Sequence, residues 1–128
     1  MLQAHNRLRR SEDVNRVRKS GRRWRHPLAV LLVAPRVGVS VSAEVHESTS
    51  LCSRFAFSAS RRVGNAIVRN RGKRLLREAV RLHLADIETG LDCLFIVREQ
   101  TAGATFLEVE AAVLQLLSRA HVLTIGSS

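Results

Sequence analysis

The chain has 128 residues, 45% of them hydrophobic, which suits one folded domain over residues 1–128 with a sizeable core. Its 21 Lys and Arg against 11 Asp and Glu leave a formal net charge of +10 and a pI near 11.6, a balance that favours a polyanionic partner. No segment approaches the roughly 20 apolar residues of a membrane span. The two cysteines, Cys52 and Cys93, lack metal-site spacing and make a poor disulfide scaffold, so a reducing compartment is expected.

The charge is uneven. Residues 7–25 hold nine basic side chains and two acids, whereas residues 82–128 hold two basic side chains and six acids. This predicts a one-sided electrostatic footprint.

In chain order, Ser11-Glu12-Asp13 reads as a helix start, with a serine cap and two acids at the positive end of the dipole. Gly21 is the expected stop. "RRWRH" before Leu28–Ala34 imitates an export signal, but seven apolar residues are too few. Residues 28–34, between Pro27 and Pro35, read instead as a buried strand. "RVGVSVSAEV" (36–45) and "RFAFSASRRV" (54–63) both alternate with period two and read as strands, joined by the polar residues 46–53. Their likeness is explained by alternation alone. Gly64-Asn65 turns the chain into a long helix over roughly 65–86, with Gly90 beyond it. Residues 91–97 form a further strand. Thr105-x-x-Glu108 is a capping box opening a last helix to about Ala120, with Phe106, Val109, Val113 and Leu117 inward. The order α-β-β-β-α-β-α predicts an α+β sandwich.

The long helix carries the strongest signal. "RRVGNAIVRNRGKRLLREAVR" (61–81) has eight Lys or Arg and one acid, Glu78. Helical periodicity puts Val68, Gly72, Leu75, Leu76, Ala79 and Leu82 on one side. Asn70, Lys73, Arg74, Arg77 and Arg81 gather opposite, and Arg69 and Arg71 flank the apolar stripe. A solvated helix laced with ion pairs needs more acids than one, placed to meet Arg74 or Arg81. Unpaired cations at this density suit phosphate, and guanidinium forks suit it in two-pronged contacts. Asn65 and Asn70 add donors and acceptors, and Arg61 and Arg62 extend the anion site at the helix amino end. Gly72 on the apolar side predicts close packing against a sheet.

"FAFSASRRVGNAIVRNRGKRLLREAVR" (55–81) resembles the signature of the bacterial ribonuclease P protein subunit, centred on Arg69-Asn70-Arg71 and continuing through Lys73-Arg74-Leu75-Leu76-Arg77-Glu78. "NRLRRSEDVNRVRKSGRR" (6–23) is similar to the family's opening helix, and the likeness covers nearly the whole chain. The resemblance implies a four-stranded sheet with three helices and a left-handed βαβ crossover around the basic helix, against the right-handed default. It implies a cytoplasmic ribonucleoprotein in which a catalytic RNA removes the 5′ leader of precursor tRNA. The protein is then an essential accessory subunit, with no protein partner required. Arg69, Asn70, Arg71, Lys73, Arg74 and Arg77 would face that RNA near its active centre. The leader would lie in a cleft between the first helix and the sheet, at Val14, Arg18, Leu31, Ser58 and Ser60. The chain departs from the family there: Val14 and Arg18 stand where the first helix usually has aromatics, and an aliphatic residue, about Leu31, replaces a strand aromatic. Residues 36–53 resemble an insertion, with 43–53 its polar loop.

No active site of the protein's own is expected. The acids form no cluster in sequence, and His5, His26, His46, His83 and His121 lack ligand spacing. Magnesium, implied by the resemblance, would be bound mainly by the RNA. A ribosomal or chaperone-like RNA-binding protein is the alternative of another class; a standalone nuclease would need the carboxylates that are missing.

Overall fold

A computed structural model describes residues 2–36 and 52–124. The sequence expectation of a strand over 36–45, its polar connection, and the inserted loop at 43–53 fall almost wholly outside these residues. Among the described residues the elements are α1 (Ser11–Ser20), β1 (Arg22–Arg25), β2 (Ala29–Pro35), β3 (Arg54–Ala59), α2 (Ala66–Leu82), β4 (Leu91–Val97) and α3 (Phe106–Arg119). The four strands make one mixed sheet in the order β1-β2-β4-β3. β2 pairs antiparallel with β1 and β4, while β3 runs parallel to β4. The parallel pair needs a crossover, and α2 supplies it.

The first strand is a correction. The expected order of elements holds, but one of the three early strands is Arg22–Arg25, the segment that imitated an export signal. Its single apolar residue, Trp24, gives periodicity nothing to read. It forms because Pro27 sits in a tight turn: His26 and Ala29 exchange backbone hydrogen bonds, and the Leu28 amide donates to His26 Nδ1 at 3.0 Å. Arg22 covers the Trp24 ring at 5.6 Å. Charged side chains on such an edge strand also discourage pairing with other chains. Ser11 is a second correction: it is already helical, and Arg10 occupies the cap position without a side-chain bond.

Strand alternation divides the molecule into two layers. Ala29, Leu31, Val33, Phe55, Cys93, Phe95 and Val97 face α2 and α3 and build the main core. Leu32, Ala34 and Leu94 face the other way, beneath Val17 of α1, with Val14, Val30, Ala56 and Ile96 around them. α3 opens with the expected capping box: Thr105 Oγ1 accepts from the Glu108 amide, and Glu108 Oε1 accepts from the Thr105 amide. Val109, Val113 and Leu117 are buried as expected, and Phe106 is half-buried.

α1 is tied to the sheet by one buried carboxylate. Asp92 on β4 has a fully buried side chain. It accepts from Arg16 of α1, and from Arg54 of β3 through Nε at 2.9 Å and Nη2 at 2.8 Å. Asp13 sits 3.7 Å from the Arg54 guanidinium.

Two glycines are required by geometry. Gly64 has φ 146°, a conformation closed to L side chains, and turns the chain into α2. At Gly72 an added Cβ would come within 2.8 Å of Val97 Cγ1, so α2 lies directly on β4. Gly72→Ala adds an overpacking cost of about 1–3 kcal/mol against roughly 1 kcal/mol gained in helix propensity, so a net loss of up to about 2 kcal/mol is expected. A lowered urea midpoint checks this; an unchanged or raised one contradicts the close packing.

Candidate nucleic-acid interface

α2 starts where Asn65 Oδ1 accepts from the Val68 amide at 3.0 Å. Asn65, expected as a phosphate-binding group, thus spends its oxygen on the cap and keeps its amide nitrogen to donate. Just before it, Ser60 Oγ accepts from the Arg62 amide and holds a turn over Arg61–Val63. Val63 is buried and anchors that turn, while Arg61 and Arg62 are exposed. Both arginines therefore project beside the amino end of α2, where the helix dipole adds positive potential.

The buried stripe of α2 is Gly72, Leu76, Ala79 and Val80. Leu82, expected inside, is 49% exposed, and Val80 replaces it. The helix is rotated relative to the expected apolar face because Gly72 lets it settle on Val97 with Val80 inward. The rotation centres Asn70, Arg74 and Arg81 on the outer face, with Lys73 and Arg77 along one flank and Arg71 on the other.

The ten expected binding groups are not equivalent. Arg81 is committed to Glu78: its Nε donates at 3.0 Å and Nη2 completes the pair. This contact holds the Glu78 carboxyl below its ordinary pKa and raises that of Arg81, hydrogen bonding leading in both. Arg71 donates to the Ala104 carbonyl at 2.9 Å and to that of Ala102 at 3.4 Å, so it also ties α2 to the chain before α3. Arg77 lies over the Phe57 ring at 5.4 Å. Arg69 is half-buried, and its Nε has no hydrogen-bond partner among the described residues. Arg61, Arg62, Arg69, Lys73, Arg74 and Arg77 meet no carboxylate among the described residues. The outer face of α2 thus offers unpaired cations, and the one acid on the helix is already neutralised.

On the opposite side of the sheet, α1 and the strands enclose a second feature. Val14, Arg18 and Ser58 line a cavity of about 350 Å³ together with Arg7, Arg77 and Ala56. Arg18 Nη2 donates to Ser58 Oγ at 3.2 Å, which draws α1 to β3 across the cleft. Ser60 lies further along, in an adjoining hollow of about 470 Å³ with Val30, Ile96, Arg62 and Arg98. Leu31 does not belong here. It is 0% exposed and faces α2 and α3. Its neighbours Val30 and Leu32 are the ones that face the α1 side, since a step of one along a strand reverses the face, and Val30 lines the adjoining hollow. Nothing in the sequence pattern marked Arg7, Arg98 or Ile96 directly. The parity of "LAVLLVA" against "LDCLFIV" points to Val30 and Ile96, but no local signal marks the two arginines.

No group of three or more His, Cys, Asp or Glu that could hold a metal occurs among the described residues. Cys52 Sγ donates to the His5 carbonyl at 3.4 Å, and Cys93 is buried. Burial pushes the Cys93 thiol far up, with Asp92 adding to it, so Cys93 is inert. No helix among the described residues is long and apolar enough to cross a membrane.

Fold and surface together define a small α+β protein with one strongly cationic helix face. Comparison with known proteins makes the class specific. The ribonuclease P family profile matches residues 2–121, and the chain belongs to this family. It is 39% identical to the ribonuclease P protein component of Herpetosiphon aurantiacus over 121 residues, covering 94% of this chain and 89% of that protein. It is also 39% identical to the Chloroflexus aggregans component over 122 residues, covering 93% and 80%. Among solved structures it resembles the RNase P protein of Thermotoga maritima, with TM-score 0.71, 26% identity and coverage of 88% and 96%. The Staphylococcus aureus RNase P protein shares the fold, with TM-score 0.74 at 24% identity and coverage of 92% and 97%.

Proposed function

We propose that this chain binds the catalytic RNA of ribonuclease P through the outer face of α2 and the 5′ leader of precursor tRNA in the cleft beneath α1. There it assists magnesium-dependent endonucleolytic removal of the leader, giving the mature tRNA 5′ end. The observation that carries the reading is the unpaired charge on and before α2: Arg61, Arg62, Arg69, Lys73, Arg74 and Arg77 meet no carboxylate among the described residues, while the helix's one acid is occupied by Arg81. Such a surface repels itself until a polyanion neutralises it.

The division of labour follows from the residues. Asp13 and Asp92, which share the guanidiniums of Arg16 and Arg54, are engaged by them and are not available to a hydrated metal ion. The hydrolytic chemistry and its magnesium ions therefore belong to the RNA. The protein screens repulsion between two RNAs and raises the local retention of cations at their junction. Arg69 reaches phosphate through its terminal guanidinium nitrogens, because its Nε is enclosed and has no partner among the described residues. A cytoplasmic site of action fits this role.

The test mixes the protein with ribonuclease P RNA and a precursor tRNA from the same organism at low magnesium. Faster release of the 5′ leader is expected. No stimulation would defeat the proposal, and cleavage without the RNA would instead indicate a nuclease.

A further inference from the structure

The chain contains four phenylalanines, one tryptophan and no tyrosine. All five rings lie on the α2 and α3 side of the sheet: Phe55 and Phe95 inside the main core, and Trp24, Phe57 and Phe106 packed against it. Two of them, Phe55 and Phe57, line the cleft under α1, but neither offers a free face to a base. The Phe57 ring stacks on Phe95 at 5.9 Å and is covered by Arg77. Phe55 is 2% exposed. Proteins that hold single-stranded nucleic acid ordinarily combine a cationic groove with rings on which bases stack. Here the missing half of that pair is a ring with a free face.

The other half is well developed. Arg7 from the amino-terminal segment, Arg18 from α1 and Arg77 from α2 converge on the same cavity, and no acid among the described residues lines it. Each is held: Arg7 donates from Nε to the Leu2 carbonyl at 3.1 Å, Arg18 to Ser58, and Arg77 rests on Phe57. Apart from the two engaged phenylalanines, the cavity floor, including Val14, Ala56 and Leu94, is aliphatic. Such a floor excludes water without reading a base edge. Three positioned guanidiniums around it match the bidentate geometry of a phosphodiester.

We propose that this cleft grips the leader strand by its phosphodiester backbone, through Arg7, Arg18 and Arg77, and is indifferent to the bases it carries. The proposal rests on the leader-binding reading above. It makes the protein a holder of leaders of any sequence, in which affinity is set by backbone charge.

The experiment uses the ribonucleoprotein reconstituted with its own RNA and measures its affinity for four precursor tRNAs. One has the natural leader, one has abasic nucleotides across the leader, one has uncharged methylphosphonate linkages there, and one has no leader. The abasic leader is expected to bind within about twofold of the natural one. The uncharged leader is expected to bind as weakly as no leader, and Arg18→Gln or Arg77→Gln to reduce the salt slope by about 0.7 each. Loss of binding with abasic nucleotides, while methylphosphonates are tolerated, overturns the proposal. Equal binding with and without any leader refutes the underlying leader-binding reading, a pattern distinct from base dependence. Val14→Phe supplies the missing ring: the intact leader should then bind at least about fivefold tighter than the abasic one, and no such gain counts against the proposal.

Discussion

Asp92→Ala is expected to destabilise the protein by about 3–5 kcal/mol, the cost of removing one partner from a buried ion pair. The side chain has no solvent contact, and two guanidiniums from different elements converge on it. Its hydrogen bond is the foremost cause of the raised Arg54 pKa. Without it, Arg16 and Arg54 repel each other, and Asp13, at 3.9 and 3.7 Å from them, only partly compensates. α1 would then lose its charged tether to β4 and keep the Asp13 contact with Arg54, the Arg16 bond to the Pro35 carbonyl and the packing of Val17. Asp13→Ala, at a partly exposed position, should cost only about 1 kcal/mol or less. Urea unfolding of the two variants checks the contrast. Similar small losses for both would mean that the buried pair contributes no more than a surface one. Because α1 forms one wall of the cleft, Asp92→Ala should also weaken leader-dependent binding more than binding of the catalytic RNA.

The combined change Arg62→Ala, Lys73→Ala and Arg74→Ala is expected to weaken association with the catalytic RNA at least about a thousandfold, at about 1.5 kcal/mol or more for each charge-assisted interaction. On duplex RNA, the slope of log affinity against log salt should fall by about 0.9 for each phosphate the protein no longer neutralises. These three side chains have no carboxylate partner among the described residues and do not enter the core, so the unfolding midpoint should hold or rise as self-repulsion is relieved. Arg81→Ala is the informative control. Its guanidinium is committed to Glu78, so the slope should change less than for Arg74→Ala. If Arg81→Ala proves as damaging as Arg74→Ala, the pair opens on RNA binding. If the triple change leaves the slope untouched, the RNA lies elsewhere.

Local patterns in the chain are good guides to this structure, and long-range ones are not. The cationic side of α2 is legible because charge and a period of 3.6 reinforce each other over 17 residues. The α3 start is legible because a capping box links groups three residues apart. β1 is not, because its stability comes from pairing with β2 and from a proline turn, and its own pattern is nearly all arginine. Leu31 lies on the face opposite to the expected one because a continuous apolar run hides strand parity until the neighbouring strand is known. The tilt of α2 that buries Val80 and exposes Leu82 depends on the packing of Gly72 against Val97, which no helical wheel contains. Asp92 looks like one acid in an apolar strand; its partners lie 38 and 76 residues away.

The central claim is that α2 faces the catalytic RNA while the α1 side of the sheet faces the leader. A tethered hydroxyl-radical source tests it directly. It is attached to single cysteines at position 73 on α2, 14 on α1, or 111 on the exposed side of α3, in a protein with Cys52→Ser. Buried Cys93 stays unreactive. In the assembled complex with precursor tRNA, the source at 73 should cut the catalytic RNA, the source at 14 should cut the leader, and the source at 111 should cut neither strongly. Strongest cutting from 111, or leader cutting from 73 and not from 14, would contradict the account.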